Sequence, residues 1–323
     1  MVYKKGLAYT GSKYKILSFI KEVLSENEKT KKLIKNHEIC CDNYIDYFCG
    51  GLNLALNVSA NKYLLSDVNE LELYKSLFLE YDATEIIYKF DCLDKIYLYT
   101  HNVFNDTKNV FNKQVSPFFK EYYYGEKMYA LAFFLLYFRT HSRNNYIRFN
   151  SKNEFNVQYG YRKHNNNVLI DIHNFINNNK NEILCLDYQT MLKAHVYCET
   201  IYKGMEDNAY NENSLLVLDP PYYNSINNYH HVFNMISDTK INAWNTKEYY
   251  KFIFPYINFI QKTGTTIIMF DFIYNKSNNI YLNSFIDKLQ KHNIKYELHY
   301  TNKKYQCSYN KKDNIQSEVM LVI

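Results

Sequence analysis

The run Leu215-Leu216-Val217-Leu218, stopped at once by Asp219-Pro220-Pro221-Tyr222, constrains this chain more than any other stretch. Four apolar residues bounded by a turn signal read as a buried strand. Two prolines fix φ and remove backbone donors, so the strand ends there. Its exit gathers an acid, a stiffened backbone and an aromatic ring.

That grouping suits one kind of chemistry. The exocyclic amino group of adenine is a poor nucleophile because its lone pair is delocalised into the ring. A carboxylate and a backbone carbonyl that both accept its hydrogen bonds pull the lone pair out of conjugation. Asp219 and the Pro220 carbonyl match those two acceptors, Pro221 stiffens the backbone with Pro220, and Tyr222 offers a flat face for an extruded base. An ordinary Asp-Pro turn closing a strand has the same four residues, so the rest of the chain decides.

Tyr44 to Phe48 reads as a second buried strand, Cys49-Gly50-Gly51 as a tight turn and Leu52 to Val58 as the helix behind it. Glycines there let a ligand lie against the backbone. A third strand, Lys62 to Ser66, ends at Asp67, 17 residues beyond Gly50, a spacing that suits a carboxylate gripping ribose hydroxyls. Upstream, Tyr9-Thr10-Gly11-Ser12-Lys13 precedes Ile16, Leu17, Ile20 and Leu24 at helical spacing. Ser12 is expected to cap that helix and leave Lys13 facing a ligand carboxylate.

Together these pieces resemble the DNA adenine methyltransferases of the Dam type (D12 class, alpha group). The family's aromatic-x-Gly-Gly-Lys opening is similar to Tyr9 through Lys13, with Ser12 at the second glycine. Its cofactor loop looks like Asp46-Tyr47-Phe48-Cys49-Gly50-Gly51, with Leu52 where a further glycine is usual, and its ribose-binding acid looks like Asp67. Its catalytic motif is matched by Asp219 to Tyr222. Its recognition hairpin is similar to Arg148-Phe149-Asn150 through Phe155-Asn156-Val157-Gln158-Tyr159-Gly160, with Gln158 replacing a proline.

The resemblance implies S-adenosylmethionine as cofactor, double-stranded DNA as partner and no metal. It also implies an α/β, Rossmann-like methyltransferase fold with a mixed seven-stranded sheet and an inserted, mainly helical target-recognition domain. The catalytic domain is expected over 1–81 and 188–323, and the insert over 82–187. Tyr9, Lys13, Asp46, Phe48, Gly50, Gly51, Asp67 and Asp219 are the implied cofactor residues, with Thr200 in His195 to Thr200 as a contact to the cofactor adenine. Close alternatives are methylation of cytosine amino groups, methylation of RNA adenine, and a catalytically silent DNA-binding paralogue or subunit.

Arginine usage points the same way without the family. Of 38 basic residues only four are arginines, Arg139, Arg143, Arg148 and Arg162, all within one 24-residue window whose single acid is Glu154. Lysine serves everywhere else. Arginine is needed where a planar fork meets guanine edges or phosphate. With Asn150, Asn156, Tyr159 and Lys163 these arginines form the candidate DNA-binding set. Met128 to Phe138 reads as a core helix, too short to span a bilayer, that delivers Arg139 and Arg143 to a surface. Phe149 to Asn156 and Val157 to Tyr161 are expected to pair as a short hairpin.

The net charge of +5 suits weak attraction to a polyanion. Seven cysteines without a Cys-x-x-Cys pair exclude a disulfide framework and a zinc ribbon. No signal peptide, transmembrane segment or lipid-attachment motif is expected, which implies a reduced, cytoplasmic protein, monomeric or weakly dimeric. His195 to Glu199 reads as a return to the sheet, and Asn245-x-x-Glu248 as a helix cap. Thr265 to Phe270 is the next strand. Glu297 to Tyr300 and Glu318 to Ile323 are expected to close the sheet, with Lys303, Lys304, Lys311 and Lys312 in a loop between them. The runs Asn165 to Asn167 and Asn177 to Asn179 read as loops.

Overall fold

Leu215–Leu218 is a strand with all four residues buried, and it lies in the middle of the sheet. The computed structural model describes residues 3–7, 12–67, 71–96, 101–122, 125–145, 147–161, 163–180, 183–184, 186–201, 209–221, 245–274, 279–306 and 315–323. In chain order the strands are β1 (Ile34–Lys35), β2 (Glu38–Asp46), β3 (Val58–Ser66), β4 (Ile183–Leu184), β5 (Leu215–Leu218), β6 (Thr266–Tyr274), β7 (Glu297–Gln306) and β8 (Ile315–Val322). They assemble as β4-β3-β2-β5-β6-β8-β7, with the short β1 paired to β2. Strands β2 to β6 on this path are mutually parallel, whereas β8 is antiparallel to both β6 and β7. This is the mixed seven-stranded path expected for a Rossmann-like methyltransferase, with β1 as an extra pairing.

Side chains alternate between faces along each strand. Tyr44 of β2, Leu215 and Val217 of β5, and Ile268 and Phe270 of β6 join one apolar cluster. Ile45, Leu216, Leu218, Ile267 and Met269 join the other. Helices cover both faces: α1 (Leu17–Glu26), α2 (Leu71–Glu80), α3 (Ala83–Ile96), α4 (His101–Val110), α5 (Phe119–Tyr122), α6 (Lys127–His141), α7 (Asn166–Asn178), α8 (Tyr188–Ile201), α9 (Thr246–Ile260) and α10 (Ile280–Lys291). The first cluster continues without a break from the sheet into Phe90, Phe104, Leu135, Phe155 and Ile172 of the 82–187 region, and α2 packs on α6 and α7. No helix among the described residues is long and apolar enough to cross a membrane.

Several expectations hold locally. Ser12 accepts a hydrogen bond from the Tyr14 N–H at 3.3 Å, and α1 buries Leu17, Ile20, Val23 and Leu24. Asn245 caps α9 by accepting from Glu248 N–H at 3.2 Å. Helix α6 contains Met128 to Phe138, and β7 pairs with β8 as an antiparallel closure.

Others are corrected. No α-helix follows the glycine turn: residues 47–57 form turns and one 3-10 turn, Ala55–Asn57. The link must run from the level of Asp46 back to that of Ile39, where Val58 pairs, a drop of about 23 Å along a strand. Eleven residues of α-helix rise only about 16 Å, so a helix over the whole link would fall short. His195 to Glu199 lies within α8, not in the sheet; its β-branched and aromatic residues mislead because the His195 ring packs on Tyr47, inside the core. Asn165 caps α7, and Asn166, Asn167, Asn177 and Asn178 belong to that helix. Lys303 and Lys304 lie in β7, at a register shift against β8. Lys311 and Lys312 lie outside the described residues.

Candidate active site

Strand order reverses between β2 and β5, since β3 and β4 follow on one side and β6 on the other. In open parallel sheets the crevice at such a switch, beyond the carboxyl ends of the strands, is where ligands bind. Asp46 is the last residue of β2, Asp67 follows β3 and Asp219 follows β5. Asp271 sits in β6, two residues beyond Met269, which pairs with Leu218. Four acids named by position alone thus meet at one crest. Pro220 is buried and Pro221 half-buried. Tyr222 and Tyr9 lie outside the described residues.

Lys13 does not face outward. Its side chain is 4% exposed, and its ammonium lies 2.6 Å from Asp219 Oδ2 and 3.1 Å from Glu318 Oε1, with the Phe270 ring 4.9 Å away. The two carboxylates described at Lys13 belong to the protein itself. Burial alone would lower the Lys13 pKa, but the charges of Asp219 and Glu318 and their hydrogen bonds outweigh it and raise it above the usual lysine value. Glu318, in β8, is 1% exposed, whereas the Asp219 side chain is 20% exposed at the crest. Sequence reasoning missed Glu318 entirely.

The glycine loop is built by backbone contact. Leu7 N–H donates to Gly51 O at 2.8 Å, and a Cβ on Gly51 would stand 2.3 Å from Leu7 O, so only glycine lets the two segments meet. Two asparagine side chains extend the join as a strand would. Asn53 accepts from Gly6 N–H at 3.0 Å and donates to Leu7 O at 2.8 Å, while Asn57 accepts from Lys4 N–H at 2.9 Å and donates to Lys4 O at 2.7 Å. This clip fixes the segment that leads to Lys13. Gly50 takes φ 48° and its N–H donates to Asp67 Oδ2 at 2.9 Å. Leu52, where the family often has glycine, takes φ 62° with its side chain buried, a conformation that strains a bulky residue.

Asp46 braces the same loop, accepting from Phe48 N–H and the Tyr44 hydroxyl, both at 3.0 Å. Burial pushes its carboxyl up to about 7; the two hydrogen bonds oppose the rise, and the charges of Asp219 and Asp67 add to it. Asp271 accepts from the Tyr250 hydroxyl and from Phe272 N–H, and burial pushes it up to about 6. Between about pH 4 and pH 7 the folded protein therefore holds protons that the unfolded chain releases. The stability these two groups contribute is whole below their ordinary value of 3.8 and is lost as pH rises through 6 and 7. Each contributes a slope of up to about 1.4 kcal/mol per pH unit. Asp46→Asn is expected to flatten the fall in urea midpoint between about pH 4 and pH 7; an unaltered pH dependence would show that Asp46 ionises normally.

An aromatic wall stands beside the loop. Phe48 packs on Tyr188 at 5.2 Å and on Tyr249 at 6.0 Å. Tyr188 opens α8 next to Asp187, which accepts from the Gln189 and Thr190 backbone N–H groups. Neither residue was singled out from the sequence. Thr200 sits at the other end of α8, 12 residues from Tyr188, about 18 Å along the helix, so the structure does not bring it to this group.

The arginine window divides. Arg139 is buried, its guanidinium donating to Asn145 O at 3.0 Å while the Asn145 side chain returns a bond to Arg139 O at 2.8 Å. Its delivery to the surface is corrected: the fork pins the turn after α6. Asn150 is likewise spent on a turn, accepting from the Lys152 and Glu154 N–H groups and donating to the Glu154 carboxylate. Tyr159 is buried against Phe104. Arg143, Arg148, Asn156 and Lys163 are exposed, with Arg148 Nε donating to Asn156 Oδ1 at 2.9 Å. Arg162 lies outside the described residues. The hairpin turns at 151–153, joining Phe149 to Phe155, while Tyr159 bridges back to Ser142. Strands 149–156 and 157–161 do not pair with one another. Tyr161, beside Tyr159 and 78% exposed, belongs to this surface and was not foreseen.

Among the described residues no group of three or more His, Cys, Asp or Glu side chains could hold a metal ion. Residues 9–251 match the family model described as D12 class N6 adenine-specific DNA methyltransferase. The chain is 26% identical over 232 residues to the modification methylase StsI of Streptococcus sanguinis, covering 68% of this chain and 28% of that protein. It is 27% identical over 204 residues to a DNA adenine methylase of Serratia marcescens, covering 58% of this chain and 68% of that protein. The chain thus spans little more than a quarter of the first relative and about two thirds of the second.

Proposed function

This chain belongs to the D12 class of N6 adenine-specific DNA methyltransferases, and from that premise we propose that it transfers a methyl group from S-adenosylmethionine to the exocyclic amino group of adenine in double-stranded DNA, taking the base out of the stack. The observation that carries this reading is the crest itself: Asp219 and Pro220 leave β5 at the point where strand order reverses, with Asp219 held by Lys13 and close to Asp46.

Asp219 and Glu318 both meet Lys13, Asp67 lies close enough for its charge to act on Asp46, and an excess of carboxylate favours a cationic ligand. A glycine loop in backbone contact and an aromatic wall of Phe48, Tyr188 and Tyr249 fit the remainder of an adenosyl donor. Gly50, Gly51, Phe48 and Asp67 hold it in this reading, with Asp46 bracing the loop. S-adenosylmethionine supplies an electrophilic methyl group on a sulfonium. The chain's own part is orientation and charge. The Asp219 carboxylate and the Pro220 carbonyl accept the two amino N–H groups, turn the nitrogen lone pair out of the ring, and oppose the positive charge that develops on that nitrogen. The nitrogen's proton then leaves to solvent.

Residues 82–187 act as the target-recognition insert, with Arg143, Arg148, Asn156 and Lys163 meeting DNA. Sequencing of modified bases in DNA from cells expressing the chain is expected to find N6-methyladenine at one short site, and Arg148→Ala to spread that mark over related sites. Unmodified adenine throughout would refute the reading. An unchanged pattern in Arg148→Ala would remove that residue from readout.

A further inference from the structure

Glu318 has no part in the chemistry just described, yet it occupies a costly place. A carboxylate 1% exposed in a strand that continues as Val319 to Val322 bears a heavy desolvation penalty. Its described partner, Lys13, also binds Asp219, so the ammonium bridges one acid inside the sheet and one at the crest. A Lys13–Asp219 pair alone would be neutral and able to swivel about the lysine stem. With Glu318 these three described side chains together carry one net negative charge, and the ammonium is held from two sides with the Phe270 ring against it.

We infer that Glu318 is a positioning residue: through Lys13 it fixes the orientation of the Asp219 carboxylate and, by sharing the ammonium's charge, leaves Asp219 the negative character it needs as an acceptor. This rests on the methyl-transfer reading above. In Glu318→Gln the shape and an acceptor oxygen remain while the charge is gone.

Three measurements on the full chain test it: the single-turnover rate of methyl transfer to duplex DNA, the KM for S-adenosylmethionine, and titration of the Lys13 ammonium by NMR. In Glu318→Gln the rate is expected to fall by about tenfold or more, less than the ~10²–10³-fold typical of a group that touches the reacting atoms. KM should stay within about twofold, and Lys13 should titrate at lower pH than in the unaltered chain. Glu318→Asp, which keeps the charge, should recover part of the rate and covers the case in which the glutamine variant does not fold. An unchanged rate in Glu318→Gln, or a rate in Glu318→Asp no higher than in Glu318→Gln, with the unaltered chain active, overturns the proposal. If the unaltered chain transfers no methyl group, the reading of function fails instead. The Lys13 titration then decides the triad by itself, and identical curves with and without the Glu318 charge overturn it.

Discussion

Asp219→Ala is expected to reduce methyl transfer by about a thousandfold or more while S-adenosylmethionine still binds within a few-fold of its normal affinity. Removing one preorganised group that meets developing charge typically costs ~10²–10³ in rate. Here the same group also aligns the nucleophile, which adds to the loss. The fold is expected to survive, because Lys13 keeps Glu318 at 3.1 Å and its buried ammonium retains a counter-charge. Glycine loop, Asp67 and aromatic wall are untouched by the change. Calorimetric titration with the donor and single-turnover transfer to duplex DNA separate the two quantities. Near-normal turnover would remove Asp219 from the reaction.

Lys13→Met is expected to act the other way, on stability first. It strips the ammonium from Glu318 and from Asp219. Breaking a buried pair by removing one partner costs about 3–5 kcal/mol, and at roughly 2–4 °C per kcal/mol for a domain of this order the melting temperature should drop by about 10 °C. Pairing the change with Glu318→Gln should return a part of that loss, since the carboxylate then left alone is gone. A melting temperature equal to that of the unaltered chain would mean that the ammonium does not hold β8 to the end of β5.

How far the fold was legible follows from which signals are local. The strand β5 and its stop were readable because four apolar residues and two prolines stand side by side. Helix α6, the Asn245 cap and the β7–β8 closure were readable for the same reason. The β2–β3 link was misread because a glycine turn usually opens a helix, whereas here the distance to be covered forbids one. Residues 195–199 carry strand-type side chains yet lie in α8, where His195 packs on Tyr47.

For the site, Asp219, Asp67 and Gly50 could be named from spacing, and the structure sets them around one crevice. What spacing cannot give is partnership across the chain. Nothing near Lys13 announces Glu318, and nothing near Gly51 announces that Asn53 and Asn57 will clip residues 4–7 to it. Clustered arginines signalled a surface, but Arg139 is used by its own backbone turn because a buried guanidinium can satisfy a carbonyl there.

The bridge between residues 13 and 318 also has a temporal side. On the ribosome, Lys13 emerges 305 residues ahead of Glu318, which at ~5–20 residues per second is roughly a quarter of a minute to a minute. Until β8 is threaded between β6 and β7, the Lys13 ammonium lacks its contact with Glu318. The group of Lys13, Asp219 and Glu318 is therefore assembled only after β8 has emerged and paired.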